Sequence, residues 1–455
     1  MSETMSRPYL QILFFQELLL LLLLESCYIA DCYDPLDPNG NITITYDIIS
    51  WTTDTDGYWA KVTIENYYQY RHVEKPGWKL GFDWAENEVI WSMTGALATQ
   101  SGNCSAFKYR VPHCCQRSPE IIDLMPDAAR INRSENCCRN GVLAARDIDP
   151  KNAISIFYMT VGNLPSLWTG KTPKNVTFMA PGPGYTCSPF ADYSPTIFPS
   201  VGGRRETQAI RTWKSTCTYS QFIANKAPTC CVSLSSFYDS NVTPCPRCSC
   251  GCQAQERTSL SCIGDTKFRG SSLPVGEVEE GLVRCTSHMC PVRVHWHVKN
   301  NYMYHWRVKL TVTNYNYAAN YSKWNIMVQH PGFSQATTAF SFNSTTLDTT
   351  TSPNEAALFW GLEYVNGELL QADNTGFGSV TSEILLHKDR KSFSLRNGWA
   401  FPRRVYFNGE DCIMPLPDVY PMLPNGSCGP LTSLQNHLVL LFMLLVLLHN
   451  FHLEQ

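Results

Sequence analysis

Charge is scarce in this sequence. Charged residues make up 16% of its 455 residues, against about 25% in an average globular domain. Neither sign dominates, and the net charge is −3. So little charge excludes charge-driven disorder over most of the chain. Without a basic excess there is no electrostatic footprint for nucleic acid, which wants a positive face against phosphate. An apolar run long enough to span a bilayer, about 20 residues, is also missing. The runs Leu18–Leu24 and Leu438–Leu448 are seven and eleven residues long. Catalytic signatures are absent too. No Ser-His-Asp arrangement has a recognisable local context. A glycoside hydrolase needs two carboxylates flanking the bond. Glu86 and Glu88 are neighbours, but they fall in a polar hairpin loop where a solvated face is the ordinary reading. The chain is therefore expected to be noncatalytic and to need no cofactor.

Cysteine and aromatics are abundant, with 20 Cys, 12 Trp, 22 Tyr and 21 Phe. So many cysteines, several of them adjacent, belong in an oxidising compartment. Both ends agree with secretion. The leucine run Leu18–Leu24 followed by small residues reads as a secretory signal. Cleavage is placed before Tyr33, with cuts after Cys27 or Ala30 as alternatives. At the other end, Asn425-Gly426-Ser427 are small, a polar spacer follows, and Leu438–Leu448 closes the chain's apolar tail. That order is the signature of a glycosylphosphatidylinositol (GPI) anchor. Asn425 is the preferred attachment residue; Gly426 and Ser427 are the alternatives. Sequons at Asn41, Asn103, Asn132, Asn175, Asn241, Asn320 and Asn343 mark candidate N-glycosylated surface loops. Trimming at Tyr33 and Asn425 leaves 17 cysteines, so one thiol is free or intermolecular. If Cys32 is retained the count is even.

From Asn41 to Ala96 the pattern has period two. Ala60, Val62 and Ile64 alternate with Lys61, Thr63 and Glu65, as in a half-buried antiparallel strand. Trp78, Leu80, Phe82 and Trp84 share one face of a second strand, and Val89–Met93 forms a third. Tyr58–Tyr67 then lines up with Trp306–Tyr315, each copy ending its strand in Asn-Tyr, and Trp78 has a counterpart in Trp324. Such recurrence implies two copies of one sandwich-like unit. Between them lie most of the cysteines, including the adjacent pairs Cys114-Cys115, Cys137-Cys138 and Cys230-Cys231 and the run Cys245 to Cys252. Adjacent cysteines are expected to staple two neighbours rather than bond each other. The C-x-x-C spacing at Cys245 and Cys248 reads as disulfide framework in a secreted chain, not zinc. His295 and His297 alternate on a strand near Cys290 and are read as packed or capped, so no metal site is expected.

The expected fold is mainly β, with two β-sandwich-like modules flanking a disulfide-rich central region. The boundaries are residues 1–32 for the signal, 33–185 for a first β domain with a cysteine-containing extension, and 186–284 for the central region. The second β domain covers 285–425, and the anchor propeptide 426–455.

Long ordered motifs then carry a family resemblance. They include Tyr33-Asp34-Pro35-Leu36-Asp37-Pro38-Asn39-Gly40, Tyr70-Arg71-His72 with Pro76-Gly77-Trp78, Pro181-Gly182-Pro183-Gly184-Tyr185-Thr186-Cys187, and Gly398-Trp399-Ala400-Phe401-Pro402-Arg403-Arg404. With these the chain resembles the COBRA-like family of plant GPI-anchored cell-wall proteins. The resemblance implies a noncatalytic protein of the outer plasma-membrane leaflet and wall. It also implies an N-terminal cellulose-binding module and a part in microfibril deposition and oriented cell expansion. Thr52–Asp56 is a longer loop than usual there, and Phe82 stands where Trp is common.

Residue chemistry agrees with a carbohydrate ligand. Glucan rings have apolar faces and polar edges, which flat aromatic side chains can cover. Trp51, Tyr58, Trp78, Trp84 and Tyr46 are the candidate cellulose-binding residues. Tyr67, Tyr68 and Tyr70 follow the strand end and are placed on a rim. The expected partner is cellulose or a related β-glucan, with the lipid anchor in the outer leaflet. The alternative is an adhesion or signalling module that turns the same aromatics toward a protein or a non-cellulosic glycan.

Overall fold

The computed structural model describes residues 36–421 except 53–55, 166–167, 169, 200–205, 225–228, 237–248, 251–289, 317–319, 335–336, 348–354, 372–377, 389–399 and 417–419. The signal, the anchor segment with Asn425, the sequon at Asn241 and most of the Cys245–Cys285 region lie outside them. Within the described residues no helix is long and apolar enough to cross a membrane.

The first module opens with β1 (Ile42–Thr52), β2 (Gly57–Asn66), β3 (Lys79–Asp83), β4 (Val89–Thr94) and β5 (Ala96–Ala98). It continues with β6 (Glu120–Asp123), β7 (Ile154–Gly162), β8 (Lys174–Met179), β9 (Tyr185–Cys187) and β10 (Ala191–Tyr193). A small hairpin, β11 (Ile197–Pro199) and β12 (Glu206–Gln208), precedes β13 (Arg211–Tyr219). One seven-stranded sheet runs β10-β13-β1-β2-β7-β4 with β9 beside β13; a four-stranded sheet runs β5-β6-β3-β8. Alternation explains the layering. Ile42, Ile44, Tyr46, Ala60, Val62 and Ile64 point inward from the first sheet, and Trp78, Leu80, Phe82, Trp84 and Phe178 meet them from the second. β13 pairs along β1 from Ile42↔Cys217 to Ile48↔Arg211. The expected domain end at residue 185 therefore falls inside the sandwich, which runs on to Tyr219.

The second module comprises β14 (Cys230–Ser236), β15 (Ser249–Cys250), β16 (Val292–Asn301), β17 (His305–Asn314), β18 (Tyr321–Ser322), β19 (Asn325–Gln329) and β20 (Thr338–Ala339). Then come β21 (Phe342–Leu347), β22 (Ala356–Gly361), β23 (Glu368–Leu369), β24 (Ser379–His387), β25 (Arg404–Phe407) and β26 (Glu410–Asp411). The main sheets run β15-β14-β16-β17-β24-β20 and β21-β22-β19-β25-β26. The fold is thus mainly β and built as two sandwiches.

Local detail supports duplication. The β1–β2 hairpin carries a register shift between Ile48 and Ser50, and β16–β17 carries one between Val298 and Asn300. Asn66 and Asn314 both end their strands buried. Each accepts a backbone N–H two residues on, from Tyr68 at 3.1 Å and from Asn316 at 2.8 Å. This side-chain turn satisfies the backbone where the ladder stops.

The cysteines staple the modules themselves. Cys104–Cys115 and Cys187–Cys217 lie in the first, and Cys230–Cys412 and Cys231–Cys290 in the second. Cys230-Cys231 behaves as expected, joining two separate neighbours to β14. Cys137 and Cys138 do not; they bond each other, which corrects the expectation for adjacent cysteines. Cys114 is free and buried.

The modules meet across a polar and aromatic seam. Tyr70 packs with Tyr406, Met327 and Leu358. The Arg71 guanidinium lies 3.7 Å from the Tyr219 ring centroid and donates to Glu410 Oε1 at 2.7 Å. Tyr219 Oη donates to the same oxygen at 2.9 Å. The Asn408-Gly409 turn makes this approach feasible: a Cβ on Gly409, whose φ is +87°, would sit 2.7 Å from that of Arg71. Tyr68 and Tyr70 are thus buried at this seam, not on the expected rim.

His72 sits at the same seam, its Nδ1 accepting from the Ala145 backbone N–H at 2.9 Å. Burial pushes its pKa down to about 4 from an ordinary 6.5. The unfolded chain takes up this proton near pH 6.5 and the folded one only near 4. Its contribution is therefore intact above about pH 6.5 and is lost as pH falls toward 4, by on the order of 3 kcal/mol. Urea midpoints across pH 4–7 are expected to fall less steeply in His72→Gln than in the wild type. Parallel curves would show that His72 does not contribute.

Candidate functional site

The open end of the first sandwich is where β1 and β2 turn into each other. Strict alternation would put Trp51 on the sheet's outer face. The bulge near Ile49 reverses this, so Trp51 stands opposite Tyr58 and on the same side. There it is 54% exposed. Its ring is held edge-on by Tyr58 at 6.3 Å and by Trp168 at 5.5 Å between centroids. Such edge-to-face contacts fix an indole without covering it. Charged pairs occupy the flanking loops and strands. Lys171 donates to Glu86 at 2.7 Å, and Arg211 pairs with Asp192 while donating to Gly170 O at 2.9 Å. The resulting tip offers an apolar ring with donors and acceptors around it.

A second exposed ring lies on the outer face of the seven-stranded sheet. Trp59 is 39% exposed and stacks on Tyr158 of β7, with centroids 5.0 Å apart and an interplanar angle of 13°. Tyr158 Oη donates to Glu135 at 3.0 Å, as Lys61 does at 2.8 Å. Burial, then the Glu135 carboxylate, pushes the Tyr158 hydroxyl up to about 12, so it remains a neutral donor. Trp59 was missed by the sequence reading because its stacking partner lies on a distant strand. Its signal was its place as the outward residue between inward Tyr58 and Ala60.

Four expected binding residues are core. Tyr46, Tyr58, Trp78 and Trp84 are all buried, at 2% exposure or less. Tyr46 and Tyr58 share a hydroxyl contact of 3.0 Å, and Trp78 stacks on Phe157. A ring so covered offers no face to a polysaccharide, so their assignment is corrected to packing. Of the five, Trp51 alone is presented to solvent. Glu88 is also buried, accepting the Glu86 N–H at 2.8 Å, and is not the solvated loop residue expected.

His295 and His297 stand on the outer face of β16 and are engaged by serines. Ser233 Oγ lies 2.5 Å from His295 Nδ1, and Ser235 Oγ lies 2.8 Å from His295 Nε2 and 2.7 Å from His297 Nδ1. Burial pushes His295 down to about 4. Among the sequons, Asn103, Asn132, Asn175 and Asn320 are exposed, while Asn41 and Asn343 are half-buried.

The second module does not repeat the aromatic tip. Its bulge places Asn301 opposite Trp306, the positions equivalent to Trp51 and Tyr58. The ammonium of Lys388 lies 4.3 Å from the Trp306 ring centroid and donates to Asn301 Oδ1, closing the end that is open in the first module.

Comparison with known proteins adds a lineage to this geometry. Residues 58–220 match the COBRA N-terminal domain, and residues 229–421 match the COBRA family C-terminal domain. These ranges meet in the gap between the two sandwiches. The chain is 51% identical over 436 residues to COBRA-like protein 2 of Oryza sativa subsp. japonica, covering 90% of this chain and 93% of that one. It is 50% identical over 429 residues to COBRA-like protein 1 of Arabidopsis thaliana, covering 92% and 93%. It is 49% identical over 405 residues to Protein COBRA of Arabidopsis thaliana, covering 87% and 88%.

Proposed function

Because the chain belongs to the COBRA family, we propose that it is a noncatalytic, GPI-anchored protein of the outer plasma-membrane leaflet and cell wall that binds cellulose and helps organise microfibril deposition during oriented cell expansion. The observation that carries the proposal is the half-exposed indole of Trp51, fixed at an open sandwich end with hydrogen-bonding groups around it. An apolar ring face matches the C–H face of a glucan, and the flanking Lys171, Glu86, Arg211 and Asp192 match its hydroxyl edges. Trp59 on Tyr158 supplies a second stacking surface on a different face. With its lipid tether at the membrane, such a protein would hold nascent glucan close to where it emerges.

The test is cellulose sedimentation with the whole secreted chain, since the first sandwich needs strands as far as β13. Trp51→Ala is expected to weaken binding at least about tenfold, as for a central aromatic anchor. Its exposed position makes a folding defect small. Unchanged sedimentation would remove Trp51 from the site. Competition by soluble β-glucan separates this reading from adhesion to a protein partner, which would ignore the sugar.

A further inference from the structure

At the end of the second module equivalent to the Trp51 tip, His305 on β17 lies directly opposite His387 on β24. Their Nε2 atoms are 3.1 Å apart and their ring centroids 4.0 Å apart, with the planes tilted by 51°. The nitrogens are thus closer than the ring centres, so the Nε2 corners lean together. We propose that His305 and His387 form a two-histidine binding site for an imidazole-preferring divalent ion, Cu²⁺ above Zn²⁺.

The distance fits. Metal–imidazole bonds are about 2.0–2.1 Å, so two nitrogens sharing an ion lie about 2.9 Å apart at a right angle and about 3.3 Å apart in a tetrahedron. The observed spacing falls between these limits. Both side chains are half-buried, so water can complete the coordination. No group of three His, Cys, Asp or Glu suited to a metal gathers among the described residues, and the protein supplies two ligands. In the ion-free state the pair can share one N–H···N hydrogen bond. Binding through both Nε2 atoms needs the ring protons on Nδ1 instead, a tautomer change at the ring that donated the hydrogen bond.

The fold does not require histidine here. Extending the β2–β7 register one step past Tyr58↔Val161 reaches Gly57 and Gly162 in the first module. There a Cβ on Gly57 would fall 2.6 Å from Gly162 Cα. The second module has opened this position and filled it with two metal-type ligands. Arg307, two residues from His305 on the same face of β17, is paired with Glu383, which limits its repulsion of a bound ion. Ligand preference follows the divalent series, in which Cu²⁺ binds imidazole sites most tightly.

The experiment titrates the metal-free whole chain with Cu²⁺ at pH 7 and follows it by calorimetry and electron paramagnetic resonance. One ion per chain with two nitrogen donors is expected. Each of His305→Gln and His387→Gln should weaken this step by more than about tenfold, since losing even an outer partner of a metal ligand costs about 10–100-fold. The double variant should lose it. Wild-type Cu²⁺ binding that persists unchanged in the double variant, or no stoichiometric binding at all, overturns the proposal and leaves only a hydrogen-bonded pair. Histidine footprinting of the wild-type chain covers the case of a variant that fails to fold. Zn²⁺ should protect His305 and His387 together from acylation, and equal labelling with and without Zn²⁺ would also overturn it.

Discussion

Arg71→Ala is expected to destabilise the chain by about 3–5 kcal/mol, the cost of removing one partner from a buried ion pair. Arg71 is buried where the two sandwiches meet. Burial alone would lower its pKa, but Glu410 and the surrounding tyrosines hold it above the ordinary value. It therefore stays charged. Its guanidinium bridges the Tyr219 ring of the first module to Glu410 and the Gly409 carbonyl of the second. Truncation would leave the Glu410 carboxylate in a low-dielectric seam without its cationic partner, Tyr219 donating to it only as a neutral hydroxyl. The double variant Arg71→Met, Glu410→Gln should recover much of the loss, because it removes both charges and keeps the volume. Urea unfolding checks both outcomes. The single variant should also separate the transition into two steps, since cooperativity between modules depends on this seam. A single variant within 1 kcal/mol of the wild type would show that the ion pair does not hold the seam.

Much of this architecture could be read locally. Alternation at Ala60–Ile64 and Trp78–Trp84 identified strands and their apolar faces, because period two is a property of each strand by itself. The two Asn-terminated strands revealed the repeat for the same reason. Exposure was different, since it depends on what the rest of the chain lays over a face. Tyr46 and Tyr58 were candidates by residue type, yet Trp213 from β13 and the ring of Trp168 cover them. Trp78 and Trp84 are closed off by the opposing sheet. Trp51 was identified, but its aim comes from a one-residue bulge that no composition rule announces. The Trp59–Tyr158 and His305–His387 pairs join strands far apart in sequence, so each residue looked ordinary alone.

Removing the Cys230–Cys412 disulfide by a double Ala substitution is expected to cost about 4–5 kcal/mol. The bond spans 182 residues, and the loop-closure entropy it withholds from the unfolded chain is about 5 kcal/mol even after allowing for the shorter Cys231–Cys290 loop inside it. Its effect is not confined to the unfolded state. Val232 N–H donates to Ile413 O at 2.9 Å, and Ile413 N–H donates to Cys230 O at 3.1 Å. The disulfide thus clamps the segment following β26 onto β14. That segment continues directly from β26, which carries Glu410, the partner of Arg71. Loosening it should weaken the seam, so the disulfide and Arg71 are coupled. Combining Cys230→Ala, Cys412→Ala with Arg71→Ala is then expected to cost less than the sum of the two, by about 1 kcal/mol or more. Equilibrium unfolding of the three proteins measures this. Strict additivity would mean that Glu410 is positioned by the β25–β26 turn alone; a subadditive result makes the clamp and the ion pair one device holding the two sandwiches together.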